Sequence, residues 1–150
     1  MATTTINAIR TAIETLIKGL TPAAKHFRHP TYRVGSHVEP FEKRASGDID
    51  REFEVEDIKA GRPVVFGATS ELDFTGTMIV KVGHAITGNR HEGMDRRDTD
   101  LHQIAWAIEK TSNLPSGVAM IRRNGWTINE LPEFWITTLT FEVVFFMAYV

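Results

Sequence analysis

Three observations predict an α+β domain, a mostly antiparallel sheet with two main helices packed on it. An amphipathic helical stretch opens the chain, two-residue alternation recurs in its middle, and a long apolar strand closes it. Residues 4–20 place Ile6, Ile9, Ile13, Leu16, Ile17 and Leu20 at helical spacing. Arg10, Glu14 and Lys18 lie opposite, spaced i,i+4 for charge pairing. Gly19 and then Pro22 end this helix, because proline cannot continue the hydrogen-bond ladder. Residues 27–34 alternate weakly around Pro30 and give at best a short edge strand, and the polar stretch 35–50 reads as a loop.

From residue 51 to 58 the alternation is clean. Phe53 and Val55 take one face while Glu52, Glu54 and Glu56 take the other, the pattern of a half-exposed antiparallel strand. Gly61-Arg62-Pro63 is turn material, with Val64-Val65-Phe66 a short strand after it. Residues 74–86 form a long strand, with Phe74, Gly76, Met78, Val80, Val82, His84 and Ile86 on one face. The charged, glycine-bearing residues 87–97 predict a mobile solvent loop. A second helix follows, with Asp98 as its N-cap, Leu101, Ile104, Ala105 and Ile108 on one face, and Asn113, Pro115 and Gly117 ending it. Val118 to Arg122 is a short strand, and Asn124-Gly125 predicts a two-residue hairpin turn with Trp126 and Ile128 on the return.

The terminal stretch, residues 135–150, begins with strand alternation and becomes apolar on both faces. A strand of that kind needs two partners, one the domain's own core and the other a covering layer from this chain or from a second copy. At about 3.3 Å per residue it would reach roughly 50 Å unbroken, so a bend or bulge is expected near Thr137 to Thr140.

One ordinary domain accommodates 150 residues, and 42% hydrophobic with 24% charged residues excludes the disordered class. Without cysteine, disulfides and thiolate zinc sites are ruled out. A formal charge of -2 gives no bulk attraction to nucleic acid or anionic membrane. The first ten residues do not read as a signal peptide. Glu142 leaves only eight uninterrupted apolar residues after it, against roughly 20 for a spanning helix, so no membrane partner is expected.

A search for chemistry finds little. His26 and His29 form a His-x-x-His pair, and His91, Glu92, Asp95 and His102 are near in sequence, but Asp95 stands where a His-Glu-x-x-His motif needs histidine. None of Ser36, Ser46, Ser70, Ser112 or Ser116 sits in a Gly-x-Ser-x-Gly elbow. The interval Gly83 to Gly88 suits a phosphate cradle, yet Asn89-Arg90 replaces the required Lys-Ser/Thr. No catalytic residue, metal or cofactor is assigned. Glu52, Glu54 and Glu56 continue a period-two acidic series that either discourages edge aggregation or, in a symmetric ring, lines an opening that repels phosphate. Arg90, Arg96 and Arg97, with Arg122 and Arg123, read as basic loop or hairpin residues able to pair with a neighbour's carboxylates. Trp106, Trp126 and Trp135 serve either the core or an interface.

The first helix, the strand at 74–86, the helix start Asp98-Thr99-Asp100-Leu101-His102-Gln103-Ile104-Ala105 and the closing strand together resemble the tail-terminator (tail-completion, minor tail protein) family of long-tailed bacteriophages. That resemblance implies a non-enzymatic virion protein at the head-tail interface, assembled in the host cytoplasm. Six copies would form a ring that caps the tail tube, stops its polymerisation, joins a head-closure or neck protein and lets DNA pass without specific binding. Val144, Phe146 and Ala148 are the candidate contacts between copies, and Arg90, Arg96 and Arg97 the candidate loop toward tube or neck. Two alternatives stay open: another head-closure, neck or tail-tube subunit, and a small metal-dependent enzyme using His91, Glu92, Asp95 and His102.

Overall fold

The elements run α1 (Ile6–Lys18), β1 (Glu52–Val55), β2 (Lys59–Val65), β3 (Glu71–Ala85), α2 (Arg90–Glu109), β4 (Val118–Glu130) and β5 (Phe134–Ala148), with a 3-10 turn at Thr111–Asn113. This is a computed structural model, described for residues 3–20, 52–65, 71–86 and 88–148. The strand and loop expected over residues 27–50 lie outside the described residues. The α+β class holds: the strands form one antiparallel sheet in the order β1-β3-β5-β4, and β2 adds to β3 beside β1.

Fifteen consecutive pairs join β3 to β5, from Glu71 opposite Ala148 to Ala85 opposite Phe134. This ladder carries no register shift, so β5 has no bulge against β3 near Thr137 to Thr140, where the sequence predicts a bend or bulge. The irregularities fall on the strands that flank the pair. In β2 the register shifts between Ala60 and Pro63, which puts the Gly61-Arg62-Pro63 turn inside an edge strand, where an extra residue relieves the missing proline N–H. In β4 it shifts between Val118 and Met120 and again between Arg123 and Gly125.

Asn124-Gly125 is therefore a bulge within one 13-residue strand rather than a hairpin turn. Gly125 takes φ 136°, a conformation open to glycine, and the chain reverses instead at residues 131–133, where Leu131 N–H donates to Phe134 O at 2.9 Å. A bulge absorbs the twist of a long ladder locally, so β5 stays continuous while β4 adjusts.

Both helices cover the same sheet face. Thr5 caps α1, its hydroxyl accepting from Ala8 N–H at 3.1 Å, and Ile9, Ile13 and Ile17 are fully buried beneath it. They meet Phe53 and Val55 of β1, Met78, Val80 and Val82 of β3, and Leu139, Phe141, Val143 and Phe145 of β5. Leu101, Ile104, Ala105 and Ile108 of α2 complete this core. A small second cluster joins Phe134, Ile136 and Leu131.

The solvent loop expected over residues 87–97 is corrected as well, since α2 begins at Arg90 and residues 90–97 are its first two turns. Asn89, not Asp98, is the N-cap, its side chain accepting from Glu92 N–H at 3.1 Å. Hydrophobic spacing cannot reveal such turns, because polar contacts hold them: Arg90 pairs with Glu130, and Arg97 lies over the Trp135 ring at 4.8 Å.

Candidate assembly surfaces

Side chains alternate along β5, and the core takes the odd-numbered set from Trp135 to Phe145. The even-numbered set faces away from the helices. Val144 and Phe146 are half-buried there, while Thr138, Thr140 and Glu142 make the middle of that face polar. Ala148 keeps its backbone pairing with Glu71, and its side chain lies outside the described residues. Phe146 is anchored through its main chain, its N–H donating to Gly117 O at 2.9 Å and its carbonyl accepting from Thr4 N–H at 2.8 Å. The N-terminal segment thus continues the sheet edge where β4 has not yet begun.

Arg90, Arg96 and Arg97 belong to helix α2, so the partner-contact loop expected of them is a helical turn. Arg97 is buried against its own Trp135 and donates from Nε to Asp98 at 2.9 Å, which removes it from any surface. Arg90 stays exposed while paired with Glu130, and Trp135 Nε1–H donates to the same carboxylate at 2.9 Å. The Arg90 guanidinium first, and the indole N–H second, hold the Glu130 carboxyl below the usual range.

A buried polar contact underlies this corner. His84 Nε2 of β3 lies 2.9 Å from Asp100 Oδ2 of α2, and both side chains are nearly inaccessible. His84 stands opposite Trp135 in the ladder. The pair pins the middle of α2 to the sheet. Buried Thr137 Oγ1 makes no hydrogen bond among the described residues. His91, Glu92 and Asp95 are exposed on α2, and no three metal-donor side chains converge among the described residues.

Glu52, Glu54 and Glu56 fall at the β1 edge. Glu54 pairs in register with Lys81, Glu56 makes an ion pair with Lys81 at 3.1 Å, and the side chain of Glu52 lies outside the described residues. Between this strand and α1 runs a groove of about 530 Å³ lined by Arg10, Thr11, Glu14, Glu54, Glu56 and Asp57, with Val55 at its base. Arg10 is paired with Asp57 across it, as Glu56 is with Lys81.

At the other end of the sheet, α2 runs antiparallel to β4. Arg90 meets Glu130, His102 meets Trp126 edge-on at 5.4 Å, and Glu109 accepts from Arg123 Nε at 2.7 Å. Arg123 also covers Trp126 at 5.2 Å. Trp106, one turn from His102, is 65% exposed, with Lys110 Nζ 4.9 Å from its ring. Ile128 of β4 is 39% exposed. These two are the exposed large apolar side chains among the described residues, so the open apolar surface sits on this seam more than on β5. The signal was present in the sequence: position 106 falls off the stripe formed by Leu101, Ile104, Ala105 and Ile108.

No protein-family model matches the chain, and no curated protein matches it significantly.

Proposed function

We propose that the chain is a structural subunit that assembles into a ring, a tail terminator of a long-tailed bacteriophage. Six copies cap the tail tube, end its polymerisation and present a joining surface to a head-closure or neck protein, with DNA passing through. The observation that carries this reading is the distribution of apolar residues on the sheet: among the described residues both helices pack on one face, while the opposite face has Phe134 and Ile136 buried at one end of β5, half-buried Val144 and Phe146 at the other, and a polar band between. A sheet built in this way offers a broad, rigid surface for a protein partner. Of the features on which the family resemblance rests, the first helix and the closing strand are elements α1 and β5, and Asp98 to Ala105 lies within α2, not at its start. Geometric capping needs no reactive group, only one ring face that matches the last tube ring and another that rejects a further tube subunit.

Val144, Phe146 and Ala148 serve as contacts on the face covered in the assembly, Arg90 as the exposed cation toward tube or neck, and Glu54 and Glu56 as the acidic rim past which DNA slides. Native mass spectrometry and electron microscopy of the purified protein test this reading. Discrete six-copy rings are expected, and Phe146→Asp is expected to abolish them. Open filaments would identify a tube subunit instead, and a single copy at every concentration, with or without tubes, would refute the assembly.

A further inference from the structure

The outer edge of β4 offers its backbone to a further strand. We propose that two copies of this chain pair antiparallel through β4, about a two-fold axis at Ile128, and so extend one sheet across both. Leu131 N–H donates to Phe134 O at 2.9 Å, which makes Glu130 and Trp135 a non-hydrogen-bonded pair. From Gly125 to Glu130 the register with β5 is unbroken, so the orientation alternates. Thr127 and Asn129 bond to β5, while Trp126, Ile128 and Glu130 turn both N–H and C=O outward. Among the described residues no strand lies beyond β4 and no backbone group meets those outward groups. The usual guards of an edge strand stand only at the ends of this stretch, the bulge between Arg123 and Gly125 on one side and Pro132 on the other. Between them Ile128 is 39% exposed.

An extended backbone fits such an edge, and β4 of a second copy fits it best in one register. Self-pairing satisfies the outward groups only where outward residues face each other. With Ile128 opposite the partner's Ile128, Trp126 faces Glu130 and Glu130 faces Trp126, so each copy donates three backbone hydrogen bonds and accepts three. Centring the pair on Thr127 instead sets Glu130 opposite Asn124 in the bulge, and centring it on Asn129 sets Trp126 opposite Pro132, which has no N–H. In the favoured register the two exposed Ile128 side chains cover each other, and on the other face Thr127 meets Asn129. Glu130 keeps its ion pair with Arg90, and the two Glu130 carboxylates lie at opposite ends of the contact. The other sheet edge is a poorer partner: β1 is four residues long, and β2 is interrupted at Pro63. A cyclic six-copy ring contains no two-fold axis of this kind, so the pair is a state of the chain outside the ring and stands apart from that reading.

Proline separates the pair from the fold, because it removes one N–H and adjacent residues point theirs to opposite sides of the strand. Ile128→Pro loses only an outward donor, where edge strands tolerate proline, so its far-ultraviolet spectrum should match wild type. Its pairing is expected to weaken by about tenfold or more in sedimentation equilibrium, the two central bonds being gone. Thr127→Pro loses a bond to β5 and should lower the thermal midpoint instead. The absence of cysteine supplies a check of register that does not depend on proline. Residues opposed in a hydrogen-bonded pair lie about 5.5 Å apart at Cα, within disulfide reach. Ile128→Cys is therefore expected to oxidise to a linked pair, and Thr127→Cys, opposed by Asn129, to link to itself more slowly. Equal rates for the two cysteines, or pairing of Ile128→Pro as tight as wild type, would overturn this contact and leave the ring reading standing. Pairs that form no ring even with tail tubes would sink the ring reading and leave the pair. Wild-type protein that stays single at every concentration would overturn both.

Discussion

Replacing Asp100 with alanine removes one member of the buried pair that fastens α2 to the sheet. Asp100 is fully buried, the His84 side chain is about 1% exposed, and 2.9 Å separates Nε2 from Oδ2. Once the carboxylate is gone, the imidazole keeps its burial and loses that partner, a change that costs about 1–3 kcal/mol when a buried polar group is deprived of a hydrogen bond. For a urea m-value of about 2 kcal/mol/M, the midpoint falls by about 0.5–1.5 M. His84→Leu combined with Asp100→Leu replaces both groups by apolar ones of similar bulk, and its cost should be well below the sum of the single losses. Urea unfolding of wild type, His84→Leu, Asp100→Leu and the double variant at one fixed protein concentration, followed by tryptophan fluorescence, supplies the cycle, with Asp100→Ala measured beside it. Additive losses within about 0.5 kcal/mol, or a loss under about 1 kcal/mol for Asp100→Ala, would refute the pin.

Gly76→Ala should destabilise by about 1–3 kcal/mol in the same assay, since an added Cβ would lie 2.9 Å from Ile58 Cγ2 and 3.1 Å from the Lys59 carbonyl, with the Phe145 ring at 3.3 Å. Gly117→Ala should lower the thermal midpoint more than an ordinary surface substitution, because Gly117 has φ +82° and a Cβ there would meet the Thr3 backbone at 2.6 Å. Glu130 has a lowered folded pKa, so its contribution to stability is whole above the unfolded value of about 4.3 and is lost as the pH falls through the folded value. Glu130→Gln should therefore flatten the acid side of a plot of thermal midpoint against pH, with the difference from wild type vanishing at the lowest pH.

Where burial follows the period of the backbone, the sequence was sufficient. Ile9, Ile13 and Ile17 repeat every four residues, Phe53 and Val55 alternate with glutamates, and Met78, Val80 and Val82 alternate on β3; all of them are buried as the pattern requires. Where polar groups hold the structure, it failed. The first turns of α2 contain Arg90, His91, Glu92, Gly93, Asp95, Arg96 and Arg97, a composition of loops, yet a guanidinium over an indole and a carboxylate across the hairpin keep them helical. Asn124-Gly125 has the composition of a tight turn, and only the partner strand decides whether such a pair reverses the chain or bulges out of a ladder.

The same contrast decides where an interface is to be sought. Hydrophobicity counted along the chain directs attention to β5, because eight apolar residues in succession look like surplus. Within the sheet that surplus is largely used: the odd-numbered positions fill the core, and Val144 and Phe146 are already half-buried. Trp106 is a single residue in a polar helical turn and adds little to any running average, yet it leaves about two thirds of its surface in water. Exposing an indole to that extent is a cost that covering by a partner would remove. Under the ring proposal, Trp106 is therefore a candidate contact alongside Val144 and Phe146. Trp106→Ser that associates with the same affinity as wild type would remove Trp106 from the contact, and loss of association in Phe146→Asp alone would leave the contact to the last strand.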